Sequence, residues 1–281
     1  MTGKGVCLGK AAVLAGLVLG VVGAVQGSLL VDTFDTSSGL NGNLVRQSGT
    51  LAPLTYSIDQ RTAGNVETTN LFSINVNGQL TLTSGGVNVQ SGVSISPDVN
   101  FNSSSSPMVI EFKTDAFIND SASNFWTGVG FGSTLTNRYG FPNSTLNDGV
   151  FFLIGSAGRF ELLDGANGTG IDASGPNGTL PTGLVDVRVE ISAIGAVAQA
   201  INVFVNNNQL DLNGAADGLT YNRTALHGDN YIRLLGWVPN GTNLTHVFDD
   251  FSITVVPEPA SLLLLGMGGL LAGRPRRSAA I

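Results

Sequence analysis

Phe72-Ser-Ile-Asn-Val-Asn-Gly-Gln-Leu-Thr-Leu82 is the stretch that decides the fold. Phe72, Ile74 and Val76 alternate with Ser73 and Asn75, Asn77-Gly78 supplies turn residues, and Leu80 and Leu82 alternate on the return. A period of two puts the apolar side chains on one face of a strand, so the segment reads as a β-hairpin. Facing Val76 with Leu80 and Ile74 with Leu82 requires a three-residue loop rather than a two-residue Asn-Gly turn, which leaves the register open.

The same pattern recurs in both directions. Strands are expected over Leu30–Phe34, Met108–Thr114, Trp126–Gly132, Val150–Ile154, Arg159–Leu163, Leu184–Ile194, Ile201–Val205, Gln209–Leu212, Tyr231–Trp237 and Thr245–Val255. Gly155-Ser-Ala-Gly-Arg159 and Asn206-Asn-Asn-Gln209 read as hairpin connections. Nothing between residues 28 and 255 sustains a helical period. The fold class expected is all-β, an antiparallel β-sandwich of jelly-roll type, with first and last strands pairing because both are apolar and flanked by Asp.

The two ends differ from this middle. Lys4 and Lys10 precede the apolar run Ala11–Val25, and Val25-Gln26-Gly27 offers small residues for cleavage, so residues 1–27 read as a secretory signal peptide. At the other end, Pro257 and Pro259 stop the last strand, Ala260 to Gly273 is almost wholly apolar, and Arg274, Arg276 and Arg277 follow. Fourteen helical residues span roughly 21 Å against a hydrocarbon core of ~30 Å, which suits a short hydrophobic helix held temporarily in a membrane.

Without these ends, the domain of residues 28–255 carries eight Lys or Arg against nineteen Asp or Glu. Such an acidic surface lacks the basic footprint that phosphate backbones require, and nucleic acid is excluded as a partner. The chain's one cysteine, Cys7, leaves with the signal, so the domain rests on its hydrophobic core without disulfides.

The tail Val256, Pro257, Glu258, Pro259, with its Leu/Gly-rich span and Arg cluster, resembles the PEP-CTERM sorting signal of bacterial surface proteins, also described as an ice-binding protein C-terminal-like domain. That resemblance implies recognition and cutting by an exosortase, and export to the cell envelope, surface or exopolysaccharide matrix. The middle resembles the concanavalin A-like, laminin-G-type jelly roll in its opening Asp32-Thr-Phe-Asp35, its Val203–Leu210 hairpin and its closing Phe248–Ile253 strand.

That resemblance covers lectins, hydrolases and adhesion modules alike. A retaining glycosidase needs two carboxylates about 5 Å apart. Here Glu67, Glu111, Glu161 and Glu190 stand singly; Glu111 with Asp115 and Asp186 with Glu190 have same-face spacing but no acid between. Gly128-Val-Gly-Phe-Gly132 lacks the helix of a phosphate loop, so its glycines are expected to relieve crowding or bend a strand. No enzyme is expected. Calcium is the metal that suits an acidic secreted domain, with Asp164, Asn167 and Asp172 as candidate ligands and Asp32, Asp35, Asp249 and Asp250 as a second set. For glycan stacking, Tyr139 and Tyr221 in polar loops are favoured over Trp126 and Trp237, whose apolar neighbours suit core packing. The functional expectation is an exported structural or adhesive module in extracellular polysaccharide, with a carbohydrate-binding lectin as the alternative.

Overall fold

The computed structural model describes residues 27–35, 39–62, 66–83, 91–101, 106–115, 126–132, 149–155, 160–164, 169–173, 183–194, 196, 198–212, 219–224, 230–238 and 245–256. The expected signal peptide up to Gln26 and the tail from Pro257 lie outside them, Gly27 already belongs to the first strand, and none of the described residues is helical. The strands are β1 (Gly27–Asp32), β2 (Gln47–Ser48), β3 (Tyr56–Thr62), β4 (Val66–Glu67), β5 (Phe72–Ile74), β6 (Leu80–Thr83), β7 (Ser91–Pro97), β8 (Met108–Thr114) and β9 (Trp126–Gly132). They continue as β10 (Val150–Gly155), β11 (Phe160–Asp164), β12 (Thr169–Ala173), β13 (Val185–Ile191), β14 (Ala198–Val205), β15 (Asn208–Gln209), β16 (Tyr221–Thr224), β17 (Tyr231–Val238) and β18 (Thr245–Val255).

They form two antiparallel sheets. The larger has ten strands, in the order β15-β14-β13-β8-β18-β1-β2, with β16 beside β14, β6 beside β18 and β5 beside β6. The smaller has eight, in the order β12-β11-β10-β9-β17-β7-β3-β4. One continuous core takes Leu30, Ile110, Val187, Val203 and Ile253 from the larger sheet and Ile95, Val129, Phe152, Leu162 and Leu234 from the smaller. The expected sandwich is therefore what the chain forms.

First and last strands do pair, with Asp32 opposite Phe251 and Val31 opposite Ser252. The 72–82 hairpin forms in a shifted register: Ile74 faces Leu80 and Phe72 faces Leu82. Val76 belongs to the loop and is fully exposed. The reason is local, because Asn75 Oδ1 accepts from the N–H groups of Asn77 and Gln79 while Asn75 N–H donates to Gln79 O at 2.9 Å. That side chain closes a wider loop than alternation alone suggests. Asn206 and Asn207 turn β14 into β15 with φ of 48° and 63°, the left-handed pair a tight hairpin needs.

The β9 glycines are a packing device, as expected. A Cβ on Gly128 would lie 1.9 Å from Phe152 O, and one on Gly130 would lie 2.4 Å from Phe151 Cδ1. Both phenylalanines sit on β10, directly across from β9. Gly128→Ala should therefore destabilise the domain by about 1–3 kcal/mol in urea titrations, since backbone must move to admit the methyl.

Candidate functional site

Two buried constellations of the same composition clasp the sheets, one at each side of the sandwich. On one side, Asp32 at the end of β1 is fully buried. Its carboxylate accepts from Tyr56 OH at 2.7 Å, Arg46 Nε at 2.6 Å, Gln47 Nε2 at 2.9 Å and the Phe34 backbone N–H at 2.9 Å. Tyr56 belongs to β3 of the smaller sheet, so the phenol-carboxylate bond ties one sheet to the other. Asn41 brackets the backbone of Tyr56 on both sides, accepting from its N–H at 2.8 Å and donating to its carbonyl at 2.9 Å. Burial, and secondarily the negative Asp32, push the Tyr56 hydroxyl well above its ordinary value, so it stays protonated and donates.

On the other side, Asp164 of β11 accepts from Tyr221 OH at 2.9 Å and pairs with Arg223 Nε at 3.3 Å. Tyr221 and Arg223 are on β16 of the larger sheet. Arg223 also donates to Gln199 Oε1 at 3.3 Å, and its guanidinium lies 6.0 Å from the centre of the Phe131 ring. A third polar bridge joins fully buried His246 of β18 to the Trp237 carbonyl of β17 at 3.1 Å.

These contacts relocate the expected site residues. Tyr221 is in a strand rather than a loop, and its ring is buried in the core because its hydroxyl has a buried carboxylate to reach. Asp164 is buried at the end of β11, engaged by Tyr221 and Arg223, and Asp172 lies across from Glu161 in register while Asp164 lies across from Thr169. Asn167 and Tyr139 lie outside the described residues, as do Pro257, Glu258, Pro259, Arg274, Arg276 and Arg277; Val256 donates its backbone N–H to Pro107 O at 2.8 Å. The end-strand acids divide among separate partners: Asp32 in its clasp, Asp249 with Gln79 Nε2 at 3.2 Å, and Asp250 with Lys113 Nζ at 2.5 Å. Among the described residues no three His, Cys, Asp or Glu side chains gather as metal ligands.

Trp126 and Trp237 stand opposite each other across β9 and β17. They are buried with Phe151, Leu153, Leu163 and Leu235 in a second cluster, distinct from the main core. Arg233 is buried nearby, 5.6 Å from the Phe151 ring centre, and desolvation lowers its pKa to about 10 against the opposing pull of Asp59.

Away from the core, the larger sheet carries an open cleft of about 270 Å³ over β8, β13, β14 and β18. Sequence spacing pairs Glu111 with Asp115 and Asp186 with Glu190, but the sheet sets Glu111 across from Arg188 and Asp186 across from Lys113. Neither cation forms an ion pair with the acid facing it, although Asp186 adds to the field that raises the Lys113 pKa. Arg188 lies 4.1 Å over the Phe204 ring and pairs with Glu190 at 3.3 Å, and Lys113 pairs with Asp250, which raises the lysine's pKa. No sequence period announces this row, because its members come from four strands.

No protein-family model matches the chain, and no curated protein matches it. Among solved structures, the Emp47p carbohydrate recognition domain is similar at 10% identity and a TM-score of 0.45, over 82% of this chain and 96% of that one. Lectin I from Ulex europaeus, in complex with the methyl glycoside of α-L-fucose, is similar at 10% identity and 0.44, over 72% of this chain and 97% of that one. Alginate lyase vAL-1 from Chlorella virus is similar at 12% identity and 0.40, over 72% and 93%.

Removing the charge from one clasp tests what it does. Asp32→Asn leaves Arg46 buried without its counter-ion and should cost about 3–5 kcal/mol, whereas Tyr56→Phe should cost about 1–3 kcal/mol. The double variant should be less damaging than the sum, and strict additivity in urea titrations would show that the two side chains do not act together. His246 generates a pH prediction. Desolvation lowers its pKa to about 4 from an ordinary 6.5, with the Trp237 carbonyl opposing. The folded state thus favours neutral imidazole, so the contribution of His246 is complete above pH 6.5 and is lost as pH falls toward 4, on the order of 3 kcal/mol in all. His246→Gln should flatten the decline in stability between pH 6.5 and 5.

Proposed function

We propose that this is an exported bacterial protein, delivered by its C-terminal PEP-CTERM-type signal to the cell envelope or extracellular polysaccharide, where the sandwich serves as a structural or adhesive module. The observation that carries this reading is the tail sequence itself, which follows directly on the last described strand. β1 starts at Gly27 and β18 finishes at Val255, and the two pair with each other in the larger sheet. Among the described residues the last strand therefore finishes two positions before Pro257, and in this reading the sequence from the Pro-Glu-Pro box to the arginines is what an exosortase-type sorting enzyme, and transiently a membrane, would engage. A non-enzymatic role is supported by the use of Asp32 and Asp164: a hydrolase needs buried acids aimed at a substrate, and these are aimed at tyrosine and arginine.

A second reading, a carbohydrate-binding module, is favoured by the cleft on the larger sheet, where Glu111 and Asp186 stand across from cations that are engaged elsewhere. Calcium assistance at Asp164, Asn167 and Asp172 belongs to this reading. It requires Asp164 to exchange its arginine partner for a metal.

The sorting reading is tested in a bacterium that has an exosortase. The full chain should appear shortened and in the surface or matrix fraction, and Pro257→Ala/Glu258→Ala or Arg274→Gln/Arg276→Gln/Arg277→Gln should leave an unprocessed, membrane-associated form. Equal processing of all three would overturn it. Retention of the shortened wild-type protein in isolated extracellular polysaccharide should exceed that of an unrelated acidic protein.

A further inference from the structure

Three features make the cleft on the larger sheet more than a gap between side chains. Its rims are held by residues in the left-handed region: Asn207 at φ 63° on one side and Asp250 at φ 48° on the other. Asn and Asp are the non-glycine residues that best tolerate this region, and here they serve the β14–β15 hairpin and the β18 bulge that set the edges of the cleft. Asp250 also marks the bulge in the β18–β8 register, between Asp249 and Ser252, at which β18 changes neighbours from β6 to β1. On the other rim, Asn206 N–H donates to Asp186 O at 2.8 Å and Asn206 Oδ1 accepts from Asp186 N–H at 3.0 Å, locking the hairpin turn against β13.

Between these rims, the carboxylates of Glu111 and Asp186 make no hydrogen bond or ion pair with any described residue, although a cation stands directly across from each. Arg188 is held by Phe204 and Glu190, and Lys113 by Asp250. The cleft therefore offers two exposed hydrogen-bond acceptors beside a guanidinium lying over a phenyl ring. A ligand that fits must donate hydrogen bonds and carry an apolar face, which is the chemistry of a sugar ring. Its net charge is constrained as well, since Glu111, Asp186, Glu190 and Asp250 outnumber Lys113 and Arg188 and the whole domain is acidic. An anionic uronate chain would be repelled. The volume falls just below the ~300–1,000 Å³ of pockets that enclose small ligands, which suits a polymer lying across the strands.

We propose that this cleft binds a neutral polysaccharide, with Glu111 and Asp186 accepting from its hydroxyls and Arg188, stacked on Phe204, packing against a ring. The proposal rests on the carbohydrate-binding reading and gives it a location.

The purified exported protein is titrated calorimetrically with neutral hexasaccharides of glucose, mannose and galactose, and with an alginate hexasaccharide, in calcium and again in chelator. Saturable binding of at least one neutral chain is expected, unaffected by chelator and stronger than that of alginate. Glu111→Gln and Asp186→Asn keep shape on an exposed face and should each weaken binding about tenfold or more, as expected for losing a hydrogen bond to a charged acceptor. Glu161→Gln, on the smaller sheet, should bind as wild type. Unchanged affinity in both cleft variants, preference for alginate, or dependence on calcium would overturn the proposed site while leaving carbohydrate binding intact. Absence of binding to every oligosaccharide would overturn both, and the sorting experiment would be unaffected.

Discussion

The tyrosine-carboxylate bonds at the two sides of the sandwich are the constraint around which the rest is arranged. A sandwich core is non-directional: apolar area removed from water gains the same free energy under many small slides of one sheet over the other. A phenol held at 2.7 Å from Asp32 on one side, and another at 2.9 Å from Asp164 on the other, are directional and admit one offset. Each carboxylate is buried, so a slide that broke the contact would cost a hydrogen bond to a charged acceptor and leave a phenol unpaired in low dielectric. The arginine beside each aspartate makes the buried charge tolerable, and the phenol makes it specific.

Between the clasps, the smaller sheet shows what close approach requires. Phe151 and Phe152 point to opposite faces of β10, Phe152 into the main core and Phe151 into the tryptophan cluster. The next strand gives way to this one at two glycines: Gly130 leaves room for the Phe151 ring, and Gly128 for the β10 backbone at the Phe152 carbonyl. Gly236 does the same between sheets, since a Cβ there would lie 2.3 Å from Leu82 Cδ1. The glycines that make the segment look like a loop in one dimension are what let a strand sit centrally in three.

The legible part of the sequence was the part in which one face is apolar and the other polar. β8 alternates strictly, β18 alternates on either side of its bulge, and both have the expected bounds, as does β9 from its apolar and glycine pattern. β3, Tyr56-Ser-Ile-Asp-Gln-Arg-Thr62, and β7, Ser91-Gly-Val-Ser-Ile-Ser-Pro97, were not anticipated, because serine occupies positions that in other strands carry the pattern. Ser96 shows why that is tolerated: its hydroxyl donates to Ile232 O at 2.7 Å, so a polar residue is buried without loss. The site was less legible than the fold. Asp32 and Asp164 were visible as acids, but their meaning depends on Tyr56 and Tyr221, twenty-four and fifty-seven positions away, and no local spacing encodes that.

A chain with a single cysteine can form no internal disulfide and must obtain register without covalent staples, and polar contacts of high sequence separation are the remaining means. This use of charge has a consequence for the surface. Asp32, Asp164, Arg46 and Arg223 are withdrawn into the fold, so the charges left to meet a partner are those of the outer faces, and there the acids prevail. Where an outer cation could neutralise its facing acid, as Arg188 could Glu111, it is drawn instead onto Phe204 and a neighbour on its own strand. Exposed ion pairs contribute little, about 0–1 kcal/mol, so this rearrangement costs little stability. What it leaves is a cleft in which Glu111 and Asp186 stand unpaired beside cations engaged elsewhere.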